Sequence, residues 1–319
     1  MIDVDLLSRQ LVRSLRGKRS QRALSRRLQY TTNVVYLWES GRRWPTVASF
    51  FWLAHRTGCD VPAALDRFVL GDPLPGIEAP WQPDVVPGLM KRLQGSTPAT
   101  TLAARIGRSR DAVGRWLRGE TEPRLPEFLR FVEVSSTRLL DFVALFVDPA
   151  ELTATAGAWH RLLAARKLTR EQPWTPAVLL ALELEPPLDE AMIAQRLRLP
   201  EELVEECIAL LLAAGQIQHV QGRWQRVEVQ AVDTRNTARP VDLKRWWTQV
   251  AAARLGEADG VASFTVCAIS AEDFQQIQLL QRQFYRQVRN LIAASTPCER
   301  VVLINLQTLA LDAPASDGG

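Results

Sequence analysis

The sequence predicts a mainly α fold: two tandem copies of a small helical bundle, a helix-rich unit closed by a hairpin, and a small C-terminal α/β element. Three observations lead there. Apolar residues recur at helical spacing from Leu6 to Phe68, with Gly or Pro only at plausible helix ends. The chain matches itself without a gap when slid by 78 residues. From Trp159 the pattern changes, and near the C-terminus two strand-length runs rich in β-branched residues flank one long helical stretch.

The first unit, residues 1–72, should hold about five short helices. Leu7, Leu11 and Leu15 form the first apolar stripe, closed by Gly17. Ser20 is placed to cap the second helix, "QRALSRRLQ", with Ala23, Leu24 and Leu28 facing inward. After a turn at Gln29 and Tyr30, Thr31 or Thr32 caps the third, "NVVYLWES", whose inward side is Val35 and Trp38. Gly41 ends it, as a residue in the left-handed region does after a helix.

The second unit, residues 89–148, follows a Pro- and Gly-rich linker of limited flexibility over 73–88. Leu11 falls on Leu89, Leu24 on Leu102, Val35 on Val113, Trp38 on Trp116, Gly41 on Gly119, Pro45 on Pro123, Phe50 on Phe128 and Phe68 on Phe146. Core and cap positions coincide, so the copies should share a fold. The outward positions differ: Thr32 and Asn33 become Arg110 and Asp111, Tyr36 becomes Gly114, Leu37 becomes Arg115, Gln21 becomes Ala99, and Arg42 and Arg43 become Glu120 and Thr121.

Residues 159–230 read as three helices and a hairpin turning near Gln221-Gly222, the third helix carrying Glu201, Glu202, Glu205 and Glu206. That much negative charge is repelled by a phosphate backbone, so protein packing or dimerisation is the expected role of this helix. In residues 240–312, "ASFTVCAIS" and "RVVLINLQTLAL" read as strands around the helix "AEDFQQIQLLQRQFYRQVRNLIAAS". Such a sheet is too small to stand alone and should pair with another part of the chain or with a second chain. Residues 313–319 read as a disordered tail.

Charge is unevenly spread. Residues 1–72 hold 12 Lys/Arg against 6 Asp/Glu, residues 73–148 hold 10 against 9, and residues 149–319 hold 17 against 20. A basic lobe on a neutral or acidic body suits a protein that sets one end on a polyanion. Between residues 9 and 43 there are ten Lys/Arg and one acid, Glu39. The charge-free apolar run of a membrane span and a signal-peptide core are both missing from the sequence, which is the pattern of a soluble cytoplasmic protein. Cys59, Cys207, Cys267 and Cys298 lie far apart without zinc-ligand spacing and read mostly as core thiols. The scattered His55, His160 and His219 offer no metal pair. No phosphate loop, nucleophile elbow, zinc-protease or dinucleotide glycine signature is present, so no catalytic residue, metal site or cofactor is assigned and a non-enzymatic protein is expected. Trp224, Trp246 and Trp247 suit packing, or the lining of a ligand pocket in the C-terminal half.

Ser20-Gln21, Leu24-Ser25, the turn from Tyr30 to Thr32, and Glu39-Ser40-Gly41-Arg42-Arg43-Trp44-Pro45 together resemble the lambda-repressor/Cro-type helix-turn-helix family over roughly residues 6–68. Tyr30 departs from the pattern, since a small residue is more usual in the turn. The resemblance implies a recognition helix in the major groove of double-stranded DNA, braced by the helix before it. Thr32, Asn33 and Tyr36 occupy the outward face for base reading, and Asn can pair bidentately with adenine. Gln21, Arg22, Arg42 and Arg43 stand where phosphates pass. In the second unit, Arg110 and Arg115 are the base-reading candidates and Arg108 and Arg118 the phosphate candidates, against the acids Asp111, Glu120 and Glu122. That unit is either a weaker DNA contact, which would add avidity by tethering, or a structural or protein-binding copy.

Residues 159–230 also resemble a winged helix. More broadly, Trp159 to Leu163, Leu210 to Ile217 and Val301 to Leu311 resemble the framework of predicted bacterial regulators that join a repressor-like domain to a C-terminal domain of unknown function. The expectation is a sequence-specific, nucleoid-associated transcriptional regulator, a repressor acting as a homodimer, with a C-terminal half that dimerises or senses a protein or small-molecule effector. The competing expectation is an adaptor or antirepressor that uses these folds to hold proteins.

Overall fold

The computed structural model describes residues 2–69, 75–82, 84–95, 97–227, 240–256 and 260–311. The expected tail, 313–319, and the start of the expected linker lie outside these residues. The architecture is mainly helical with one small antiparallel hairpin.

The first unit comprises α1 (Val4–Arg16), α2 (Gln21–Arg27), α3 (Val34–Glu39), α4 (Val47–Thr57) and α5 (Val61–Val69). The second comprises α6 (Val85–Gln94), α7 (Ala99–Ile106), α8 (Arg110–Arg118), α9 (Leu125–Ser136) and α10 (Leu139–Val143). Leu7, Leu11 and Leu15 are buried along α1, and Ser20 caps α2 by accepting the Ala23 amide at 3.2 Å. Gly41 follows α3 at φ +73, where an added Cβ would lie 3.2 Å from Arg9 Cδ. Its counterpart Gly119, at φ +79, meets Pro87, the residue that replaces Arg9.

Two local expectations shift. Asn33 stands at the N-cap of α3, in place of Thr31 or Thr32. Ala23 is exposed and Ser25 is buried. The Ser25 hydroxyl donates to the Gln21 carbonyl at 2.8 Å and accepts the Val35 amide at 3.1 Å, so its burial leaves no orphaned polar group and ties α2 to α3. In the second unit α6 begins at Val85, inside the stretch expected as linker, because Val85 and Val86 are buried.

The two units share one hydrophobic core. Phe50 meets Phe146 edge-on at 5.1 Å, Phe51 meets Phe128 at 6.3 Å, and Phe68 meets Phe142 at 5.4 Å. Thr46 and Arg124 form an isolated antiparallel bridge, beside which the Leu125 amide donates to the Pro45 carbonyl at 2.9 Å. Glu122 reaches across to accept the Ala48 amide at 2.5 Å. Buried Arg138 covers the Phe68 ring at 4.4 Å and donates to the Phe68 carbonyl at 2.8 Å.

A short turn at Pro149–Glu151 leads into α11 (Ala156–Glu171), which is tied back by Arg166 donating to both oxygens of Asp141 at 2.8 Å. A second core gathers α12 (Thr175–Ala181), α13 (Glu190–Leu197), α14 (Glu201–Ala213) and the hairpin of β1 (Ile217–Val220) and β2 (Arg223–Arg226). Val220 pairs with Arg223, so the chain turns at Gln221 (φ +50) and Gly222 (φ +79), two positive φ values that match the twist of a two-residue hairpin. Cys207 lies in this core, where burial, helped by the charge of Glu206, pushes its thiol up to about 11. Cys59 is half-buried, whereas Cys267 and Cys298 are exposed on segments without regular secondary structure, outside both cores.

Beyond the hairpin come α15 (Pro240–Ala253) and α16 (Ala271–Ala294). The runs expected as strands, 262–270 and 300–311, form no ladder among the described residues. The last run and the residues before it are held by the Glu185 amide on the Cys298 carbonyl at 2.7 Å, by Arg196 on the Glu299 carbonyl at 2.8 Å and by Gln281 on the Leu306 carbonyl at 3.0 Å. A strand needs a neighbouring strand for its backbone groups, and within one chain these runs find none among the described residues.

Candidate nucleic-acid interface

In the first unit, α1, α2 and α3 meet at Glu39. Its carboxylate accepts Arg16 Nε at 2.5 Å and Gln21 Nε2 at 2.7 Å, so one acid braces three helices. Gln21, expected on a phosphate, therefore has its amide engaged inside the protein. Thr32 and Asn33 are exposed at the start of α3, and Tyr36 is exposed one turn later, while Leu37 is half-buried. Asn33 Oδ1 accepts the Ser25 hydroxyl at 3.2 Å, which fixes the side chain at the edge of α3. Arg42 lies over the Tyr36 ring at 5.5 Å. Arg22 and Arg43 are exposed and make no side-chain hydrogen bond or ion pair among the described residues.

A cleft of about 320 Å³ beside α3 is lined by Arg13, Arg16, Gln21, Tyr36, Glu39 and Ser40. Of these, the sequence pointed to Tyr36 for bases and Gln21 for a phosphate, and gave no site role to Arg13, Arg16 or Glu39. The signal was present: Arg13 and Arg16 are one turn apart on the polar edge of α1, and Glu39 is the only acid among ten cations.

In the second unit Ser109 caps α8 by accepting the Ala112 amide at 3.2 Å. Arg108 pairs with Glu127 at 2.9 Å and Arg118 with Glu120 at 2.5 Å. The hydrogen bond from Arg118 holds the Glu120 carboxyl below its usual range. Both arginines expected on phosphates are thus paired internally. The two expected on bases, Arg110 and Arg115, are exposed and make no such pair among the described residues. Of the opposing acids, Glu120 and Glu122 are engaged within the protein, while Asp111 stays exposed.

In the C-terminal half Trp174 joins Trp246 and Trp247 in an edge-to-face cluster at 5.2 and 5.5 Å, with Arg254 over Trp174 at 5.3 Å. Trp224 packs instead against His219 at 4.8 Å and donates Nε1 to Glu190 at 3.3 Å. Glu201, Glu202, Glu205 and Glu206 line the exposed side of α14.

Residues 171–311 match the family model of a domain of unknown function, DUF4423. The matched residues run from the end of α11 through the hairpin, α15 and α16. The chain matches no curated protein and no solved structure. Among the described residues no helix is long and apolar enough to cross a membrane.

Proposed function

We propose that the protein is a sequence-specific DNA-binding transcriptional regulator, acting on the nucleoid by binding and not by catalysis. The observation that carries this reading is the exposed edge of α3, where Thr32, Asn33 and Tyr36 stand beside Arg22 and Arg43, which make no ion pair among the described residues, on a scaffold locked by the Arg16–Glu39–Gln21 brace. Unpaired exposed guanidinium groups keep their full attraction for phosphate, and a rigid helix edge between them is what base reading requires. Arg22, Arg43 and Arg13 contact the backbone, and Arg42 stacked on Tyr36 holds that ring in place. Gln21 acts through Glu39 by fixing the angle of α3.

The C-terminal domain supplies dimerisation. Phe264, Val266, Leu306 and Leu309 are exposed on segments without ladder partners, and α16 exposes Leu280 and Phe284, which favours a second copy completing the sheet. A repressor function and an effector site near the Trp174–Trp246–Trp247 cluster are part of the same proposal. The adaptor reading draws on the acidic face of α14 and predicts no affinity for DNA.

The test is selection of the full chain against a random duplex pool at increasing salt. Enrichment of one motif, lost in Asn33→Ala with Arg43→Ala, is expected. A chain that retains no duplex even at low salt refutes the regulator and leaves the adaptor.

A further inference from the structure

We infer that residues 4–152 form an intramolecular pseudo-dimer that reads one bipartite, asymmetric DNA site per chain, with α3 on one half and α8 on the other. This rests on the DNA-binding reading above and adds to it the architecture of the target. A flexible tether between two independent readers would tolerate many spacings; the structure assigns one.

The geometry points to a local twofold axis. Thr46 pairs antiparallel with Arg124, and 46 and 124 are the same position of the 78-residue repeat. An antiparallel bridge between a residue and its own counterpart lies on a twofold, as in an isologous dimer interface. The joint is also built from equivalent helices, since Phe51 of α4 meets Phe128 of α9, the copy of Phe50. One patch of the repeat therefore packs on its own copy, and a single apolar cluster runs through both. Residues 46 and 124 also lie directly beyond the two exit turns. Thr46 lies seven positions after Glu39 and Arg124 six positions after Arg118, so even a fully extended turn keeps each helix end within about 25 Å of the bridge. That limit leaves room for two readers in successive major grooves about 34 Å apart.

The two halves of the site must differ. The first reader offers Thr32, Asn33 and Tyr36, suited to adenine and thymine; the second offers Arg110 and Arg115, suited to the O6 and N7 acceptors of guanine. Because Arg108 and Arg118 are paired with Glu127 and Glu120, the second half adds selectivity with little added phosphate attraction.

The experiment is selection of the wild-type chain, Asn33→Ala and Arg115→Ala on the same random duplex pool, followed by binding of the winning site with about 5 base pairs, half a turn, inserted between its halves. The expected motif has two unequal blocks at one spacing. Asn33→Ala should relax one block and Arg115→Ala the other, each by about tenfold or more in discrimination, and the insertion should weaken binding by a similar factor. A single block, or a palindrome whose identical halves both respond to Asn33→Ala and neither to Arg115→Ala, overturns the inference while sparing DNA binding. No enrichment at all refutes the regulator itself.

Discussion

Asp141 shows how much of the molecule can hang on one side chain. It receives Arg166 from α11, sits beside Arg138, which grips the first unit through the Phe68 carbonyl, and is itself buried. Removing the carboxylate would leave buried guanidinium charge uncompensated, so Asp141→Ala should cost about 3–5 kcal/mol, read as a lower midpoint in urea. A loss below about 1 kcal/mol would mean that water reaches the arginines. At this scale the sequence was legible where chemistry is local. Ser20 as a cap and Gly41 at positive φ follow from their neighbours alone. Glu39 was not, because its partners Arg16 and Gln21 lie 23 and 18 residues away and only the crossing of three helices brings them together. Ser25 escaped for the same reason: its buried hydroxyl is satisfied by Val35, on the next helix.

Among the elements, α4 and α9 carry the joint between the units. Phe51 from one and Phe128 from the other are fully buried against each other and against Phe146 and Phe142. Phe128→Ala should therefore cost about 3–5 kcal/mol. Since the core is shared, the loss should appear in both units together. Hydrogen exchange should show faster opening of α1 and α4 as well as α9, and acceleration confined to the second unit would contradict a common core. Helix positions were readable from periodicity and the 78-residue match, and the start of α6 moved only because Val85 and Val86 pack inward. The two C-terminal runs expected as strands form no ladder among the described residues for a physical reason. β-branched composition reports a preference for extended backbone, while a strand also needs a neighbour, which composition cannot supply.

For the whole molecule, the layout is a basic two-unit head on an acidic-leaning C-terminal domain. Tandem units were legible because core positions recur at one offset. Their fusion into one body was not, because a self-match fixes the fold of each copy and says nothing about how the copies touch. In the proposed function, the cations around α3 set this head on duplex DNA. The most direct measurement is the equilibrium affinity of the full chain for a selected duplex between about 50 and 200 mM salt, beside the variant Asn33→Ala with Arg43→Ala. The predicted result is an affinity that falls steeply and linearly with salt on logarithmic axes. The variant should bind at least about tenfold more weakly, with a slope shallower by about one. An affinity independent of salt, or equal for both proteins, would contradict that role of the α3 cations.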